Sequence, residues 1–277
     1  MLLRAFAKIN LDLRILGRRD DGYHEVQTIL QTIDWWDEIR LERADRFQFS
    51  GPGTPEDETN LVVRAVRAYE RVSHAQAPVD IRLLKNIPIA RGLGGGSADA
   101  AVTFMGLQRV FKRSIDPAEV FQELRQLGSD VPFFTIGGKA EGTGRGDEVG
   151  RLDDETGYWL VLVDPGVRIA TAEAYSWLTV STKSNTIEGF RAQLVNDFEG
   201  PVFKRYPGLA EIKDELVRLG AYRAALSGSG SAIFGQFNME ADARFAAAAL
   251  ADRFEVKVTK PLPRLEYFQR IAVAGGL

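Results

Sequence analysis

Gly92, Leu93, Gly94, Gly95, Gly96 and Ser97 form a backbone with almost no side chains, directly before the small-residue run Ala98 to Ala101. Glycine lacks a Cβ, so it reaches positive φ and lets another group approach its N–H closely. Several N–H groups turned inward make an anion-binding concavity. A helix starting behind them adds unpaired N–H groups and the positive end of its dipole. The chemistry this suits is the cradling of a nucleotide triphosphate, with the Ser97 hydroxyl as phosphate donor or helix cap. A tight turn with no ligand has the same composition. The stretch is not a Walker A loop, because no lysine precedes the hydroxyl residue. Nor does it follow the first strand of a βαβ unit, as a dinucleotide fingerprint should. A second small-residue turn, "LSGSGSAIFG" from Leu226 to Gly235, lies in the other half of the chain. Two such turns can meet at a shared cleft, and together they favour the phosphate reading over the bare turn.

Composition narrows what such a cleft can do. The chain has 277 residues, 45% hydrophobic and 26% charged, with a formal net charge of -3. That is enough chain for one large domain or two ordinary ones. The mildly acidic balance argues against a nucleic-acid partner, which needs a basic surface, although a local basic pocket for one small anion stays open. The absence of cysteine excludes disulfides, thiolate nucleophiles and cysteine zinc sites. His24 and His74 alone, with no HExxH, exclude a histidine-rich metal site. A magnesium ion held by oxygen ligands and substrate phosphates remains compatible, with no residue assigned to it. No apolar run reaches membrane-spanning length, so no membrane partner is expected. The N-terminus alternates like strands rather than like a signal peptide, and a cytoplasmic protein is expected.

The elements that must position the cleft follow from periodicity. "LLRAFAKINLDLRIL" alternates as a strand, "RRDDGY" is a turn, and "HEVQTILQTI", "DEIRLER" and "FQFSG" read as further strands. Leu61, Val62, Ala65, Val66, Tyr69 and Val72 fall on one helical face. A strand "VDIRLLKNIP" then leads into the glycine stretch, and a helix follows it. Asp116 and Pro117 open the next helix and Gly128 closes it. The polar, glycine-rich segment from Gly137 to Gly157 marks a boundary near residue 150. Beyond it come the strand "YWLVLVDPG" and helices near Thr171–Leu178, Thr186–Leu194 and Gly208–Leu219. The strands "YRAAL" and "AIFGQF", the helix "MEADARFAAAALADRF" and the strand "EVKVTK" complete an α+β sandwich.

The order of these motifs resembles the GHMP kinases, the family of galactokinase, homoserine kinase, mevalonate kinase and phosphomevalonate kinase. "PIARGLGGGSADAA" matches the family's central phosphate loop, and "ALSGSGSAIFG" matches its C-terminal loop. Within the family, three stretches are most like the kinases that phosphorylate a tertiary hydroxyl of a cytidylyl polyol phosphate in isoprenoid precursor synthesis. They are "AFAKINLDLRILGRRDDGYHEV", "LGSDVPFF" and "NDFE". The resemblance implies a two-domain α+β architecture. A ribosomal-protein-like N-terminal domain over residues 1–150 would bind ATP and substrate, and a ferredoxin-like α/β sandwich would fill residues 151–277. It also implies ATP and Mg2+ as cofactors, small-molecule substrates as partners, and a monomer or weak homodimer.

The same resemblance makes Asp130 the catalytic base and Lys8 its partner. A carboxylate within hydrogen-bond reach takes the hydroxyl proton, and a nearby ammonium favours its ionised form. The plain alternatives are an N-cap for Asp130 and an exposed strand lysine for Lys8. Pro88, Gly92 to Ser97 and Asn60 would hold the nucleotide, although Asn60 is equally an ordinary N-cap. Asn10, on the same strand face as Lys8, would meet substrate hydroxyls; a sheet-edge residue is its alternative. Tyr23 and His24 of "DGYH" would stack and read the cytosine, with Tyr175 as the opposite wall and Thr171 assisting. Without the family pattern, His24 reads as a solvated turn histidine and Tyr175 as helix core. Lys85 and Arg91 flank the loop, and solvent-exposed charges are the commoner case. Asp197 reads as structural, and Asp153 and Asp154 as a solvated turn. Rival functions are another kinase of the same family, a nucleotide-binding module without catalysis, and an RNA-binding protein.

Overall fold

The computed structural model describes residues 1–178 and 195–272. The expected helix at Thr186–Leu194 lies outside the described residues.

Strand β1 (Leu2–Arg18) is buried almost without break from Leu3 to Leu13. Its partner β2 (His24–Arg43) is one strand of 20 residues, not the two shorter strands the sequence suggests. The apparent break around "DWWD" is a run of strand whose acids are ion-paired. Asp34 meets Arg270 and Asp37 meets Lys85. β2 then pairs antiparallel with β4 (Val79–Leu84) and β5 (Lys139–Thr143). β3 (Gln48–Ser50) and β6 (Glu148–Arg151) lie on the outer sides of β4 and β5. The β5–β6 hairpin occupies the segment that reads as a polar, glycine-rich boundary.

Three helices cover this sheet. Helix α1 (Leu61–Ser73) starts at Asn60, whose side chain accepts from the Val62 N–H. Helix α2 (Gly95–Phe111) starts at Gly94, and α3 (Pro117–Leu127) runs from the Asp116 cap to Gly128. Their apolar faces enclose Tyr69, Phe104 and Phe133 with the sheet residues Leu3, Phe6 and Leu41. Burying each such side chain contributes roughly 1.5–3 kcal/mol before entropy is counted.

The chain then enters a second sheet with β7 (Trp159–Asp164). Helices α4 (Thr171–Ser176), α5 (Glu199–Arg205) and α6 (Pro207–Arg218) follow, then β8 (Arg223–Leu226) and β9 (Ile233–Phe237). Helix α7 (Glu240–Leu250) and β10 (Glu255–Thr259) complete it. The strand order β10-β7-β9-β8, antiparallel throughout, is that of a ferredoxin-like sandwich. The two sheets meet along an apolar seam. Ala7, Ile9, Leu11 and Trp35 from the first pack on Leu160, Leu162, Ala225 and Phe234 from the second.

A last helix, α8 (Arg264–Ile271), returns to the first unit. Tyr267 is fully buried there and donates its hydroxyl to the Phe134 carbonyl at 2.5 Å. Asp154 does not sit in a solvated turn. Its carboxylate accepts from the Arg264 and Lys139 backbone N–H groups at 2.8 Å each, tying α8 to β5.

Candidate active site

β1 departs from regular pairing between Phe6 and Lys8. The Lys8 N–H donates to the Leu93 carbonyl at 3.0 Å, so the strand is fastened to the glycine loop where its side chain is redirected. Lys8 Nζ lies 2.5 Å from Asn10 Oδ1 and 3.2 Å from Asp130 Oδ2. The Lys8 side chain is 4% exposed and that of Asp130 is 35% exposed. The ammonium is therefore buried and the carboxylate opens to the cleft. Lys8 is not an exposed strand lysine, and Asp130 does not cap a helix. Asn10 is buried, although β1 pairs with β2 alone and so lies at the edge of its sheet, and it donates through Nδ2 to Thr28 Oγ1 at 2.7 Å. Thr28 in turn donates to the Asp12 carbonyl at 2.6 Å. This chain fixes Lys8 through Asn10.

The glycine loop wraps Lys8. A Cβ on Gly94 would stand 2.9 Å from Lys8 Cγ, and Gly94 has φ +68°, so only glycine fits that close approach. Because Gly94 is the N-cap, Ser97 falls inside the first turn of α2 and does not cap it. Ser97 borders the cleft with Pro88, Gly92, Leu93, Gly95 and Gly96. The second small-residue turn meets the first. Ser227 Oγ donates to the Gly92 carbonyl at 3.0 Å, and the Ala232 N–H donates to the Arg91 carbonyl at 3.1 Å.

Neither flanking cation is solvent-exposed. Arg91 is 8% exposed and bonds Asp164 at 2.5 Å, joining the glycine loop to β7. Lys85 bridges two buried carboxylates, Asp37 on β2 and Asp99 on α2, the latter at 2.7 Å. Asp37 also accepts from the Asn86 and Ile87 N–H groups at 2.6 and 2.8 Å. Burial pushes the Asp99 carboxyl up to about 8 against the pull of Lys85, with Asp37 adding repulsion. Burial opposes the Lys85 charge, but Asp99 and Asp37 outweigh it and hold the ammonium above the usual lysine value. Nothing in the sequence alone marks this cluster, because Asp37 and Asp99 look like ordinary strand and helix charges until the fold joins them to Lys85.

The cleft extends to aromatic residues. The His24 ring lies 4.9 Å from that of Tyr175, whose edge meets Phe198 at 4.9 Å. His24 is therefore stacked rather than loose in solvent. Burial, with Arg18 adding repulsion, lowers its pKa below the usual histidine value, so it is neutral at pH 7. Burial and the nearby Asp130 charge push the Tyr175 hydroxyl up to about 12. Tyr23 is 54% exposed, and Arg145 covers one face of its ring. Thr171 receives a weak bond from Ser229 at 3.4 Å. Lys8, Asn10, Asn60, Asp130, Thr171 and Tyr175 all border one cavity of about 540 Å³, whereas Tyr23 and His24 do not border it. The volume is in the range that accepts nucleotide-sized ligands. The segment at Asn196–Glu199 is structural. Asn196 Nδ2 donates to the Leu226 and Gly228 carbonyls at 2.8 Å each, and Asp197 accepts from the Ile15 N–H at 2.7 Å.

Comparison with known proteins shows the family of the chain. The model of the GHMP kinases N terminal domain matches residues 60–138, and that of the GHMP kinases C terminal domain matches residues 180–256. A 4-diphosphocytidyl-2-C-methyl-D-erythritol kinase of Solibacter usitatus (strain Ellin6076) is 43% identical, over 85% of this chain and 80% of its own. The chain belongs to the GHMP kinase family. This GHMP kinase is also 38% identical to the 4-diphosphocytidyl-2-C-methyl-D-erythritol kinase of Moorella thermoacetica, covering 95% of this chain and 99% of that one. A crystal structure of 4-(cytidine 5'-diphospho)-2C-methyl-D-erythritol kinase superposes with a TM-score of 0.80 at 33% identity, over 94% and 99% of the two chains. A homoserine kinase from Cytophaga hutchinsonii, at 17% identity and a TM-score of 0.70, shares the fold. Among the described residues, no helix is long and apolar enough to cross a membrane.

Proposed function

We propose that this kinase transfers the γ-phosphoryl group of ATP to the 2-hydroxyl of 4-diphosphocytidyl-2-C-methyl-D-erythritol, a step of the non-mevalonate isoprenoid route. The observation that carries the reading is the Lys8–Asp130 contact at 3.2 Å beside the glycine loop, in a chain whose curated relatives bear that enzyme's name.

Phosphoryl transfer asks chiefly for positioning and charge stabilisation. Asp130 would accept the proton of the attacking hydroxyl. Lys8, held by Asn10, would orient that carboxylate and offset charge on the transferring group. The N–H groups of Gly92 to Ser97 and the start of α2 would hold the phosphates without the lysine of a P-loop. Asn60 and Pro88 would border the nucleoside. Tyr175, His24, Tyr23 and Thr171 would receive the cytidine end, where a neutral His24 offers both a donor and an acceptor nitrogen.

A magnesium ion fits this donor set in one way. Among the described residues no group of three or more His, Cys, Asp or Glu is placed to hold a metal. The ion would therefore be carried mainly by phosphate oxygens and water, with the Ser97 hydroxyl at the cleft wall as a protein ligand. When bound, it would neutralise charge on the phosphates.

A coupled ATPase assay on the purified chain with the cytidylyl substrate, homoserine and mevalonate tests the reading. Turnover with the cytidylyl substrate alone is expected. Turnover with homoserine or mevalonate, and none with the cytidylyl compound, overturns it.

A further inference from the structure

The turn of the β5–β6 hairpin enters the cleft with a charged residue. Gly144 and Gly146 have φ of +68° and +88°, and between them Arg145 borders the same cavity as Lys8 and Asp130. The turn is pinned from both sides. The Val26 N–H donates to the Gly144 carbonyl at 2.7 Å, and the Gly146 N–H to the Thr143 carbonyl at 2.9 Å.

Arg145 itself is held on two faces. Asp147, fully buried, accepts from Arg145 Nη2 at 2.9 Å and from its backbone N–H at 3.1 Å. The guanidinium lies over the Tyr23 ring, 4.7 Å from its centre. Asp147 also accepts from Arg125 Nε at 2.8 Å, so one buried carboxylate serves two guanidinium groups. Glu148 is 3.6 Å from Arg125, and its side chain is 60% exposed. Asp21 acts on Arg145 from the turn after β1. Arg145 thus keeps donors for a further anion, in a position already set by the Tyr23 ring and by Asp147. A guanidinium so held loses little freedom on binding, and its planar fork matches phosphate oxygens. Tyr23 does not border the cavity, whereas Arg145 does. The group that this turn presents to the cavity itself is therefore Arg145.

We propose that Arg145 is a specificity-determining residue whose guanidinium binds the diphosphate of the acceptor substrate. The assignment deepens the function proposed above and rests on it. It explains how a cleft with the common fold of homoserine kinase can favour an acceptor carrying a diphosphate: an acceptor without one leaves the remaining Arg145 donors unused.

The experiment is calorimetric titration with CDP and with cytidine, the ATP site being filled by a non-hydrolysable ATP analogue. It is run on the wild type, Arg145→Met and Arg145→Lys, and paired with steady-state assays on the cytidylyl acceptor. The wild type is expected to bind CDP about 10- to 100-fold more tightly than cytidine, the range for charge-assisted hydrogen bonds. Arg145→Met should bind the two about equally and raise the acceptor KM by a similar factor, but not the KM for ATP. Arg145→Lys should retain part of the preference, and it serves as the test if the methionine variant does not fold. An unchanged CDP preference in the variants overturns the assignment, as does an equal loss of CDP and cytidine affinity. If the wild type prefers CDP through Arg145 yet does not phosphorylate the cytidylyl acceptor, the proposed function fails and the anion site stands. If it phosphorylates that acceptor and the variants match it, only the Arg145 assignment fails.

Discussion

The hydroxyl of Ser227 donates to the carbonyl of Gly92 at 3.0 Å, joining the two small-residue turns at the cleft. The contact is tight: a Cβ on Gly92 would lie 2.0 Å from the Ser227 carbonyl oxygen, and Gly92 has φ +77°. Gly92→Ala should therefore part the two turns. The left-handed backbone alone costs at least about 1–2 kcal/mol, before the clash is relieved. A drop in Tm with a larger loss of ATP affinity is expected, measured by calorimetry and nucleotide titration. Ser227→Ala removes one hydrogen bond and should cost only about 0.5–1.5 kcal/mol. Equal behaviour of the two variants would contradict the account.

Asp130→Asn keeps the shape of the side chain and removes its basicity. A kcat lower by about 10²- to 10⁴-fold is expected, with ATP affinity near that of the wild type. Lys8→Met should also lower kcat, and it leaves Asn10 Oδ1 without its 2.5 Å donor. Part of its effect should therefore appear as a lower Tm. Full activity in Asp130→Asn removes the assigned base.

The sequence marks the glycine loop and the polar residues of β1 as unusual, while their roles come only with the family resemblance. Gly92 to Ser97, Lys8 and Asn10 belong to local patterns: a glycine run before a helix, and polar residues inside an apolar strand. Strands β1, β3, β4 and β7 to β10, with α1 and α3, follow likewise from periodicity and caps. What could not be read depends on distant pairing. "DWWD" looked like a break because Asp34 and Asp37 reveal their cations, Arg270 and Lys85, only in the fold. The glycines around Arg145 made a hairpin resemble a linker. Helix α8 is short, and its burial against the first sheet could not be inferred from its own pattern.

The Lys85 cluster should leave a mark on stability as pH changes. The Asp99 carboxyl stands near 8 in the folded chain, against 3.8 as its ordinary value. The folded state therefore binds the extra proton between those values, and stability falls as pH rises through that window. In Asp99→Asn this downward slope should flatten, read from Tm at intervals between about pH 5 and 9. An unchanged slope would mean that another group carries it.

His24 should set an acid limit on acceptor binding. Its pKa lies below 6.5, so protonation begins only in more acid solution, where the ring loses its acceptor nitrogen. The KM for the cytidylyl acceptor should rise as pH falls through that region, while the KM for ATP holds steady. His24→Gln should abolish this limb of the profile. An acid limb that survives the substitution assigns it elsewhere.

Tyr267 and Ile271 lie in the same apolar cluster as Leu3, Phe6 and Phe104. A nascent chain cannot close that cluster while its later residues are still inside the ribosome. The first sheet and its helices emerge early but must wait, with the place of α8 exposed, until the whole second sheet has been made. Helix α8 thus makes closure of the first sheet's core depend on synthesis of the second, and a chain interrupted before Arg264 would carry an incomplete core rather than act as a half-working kinase.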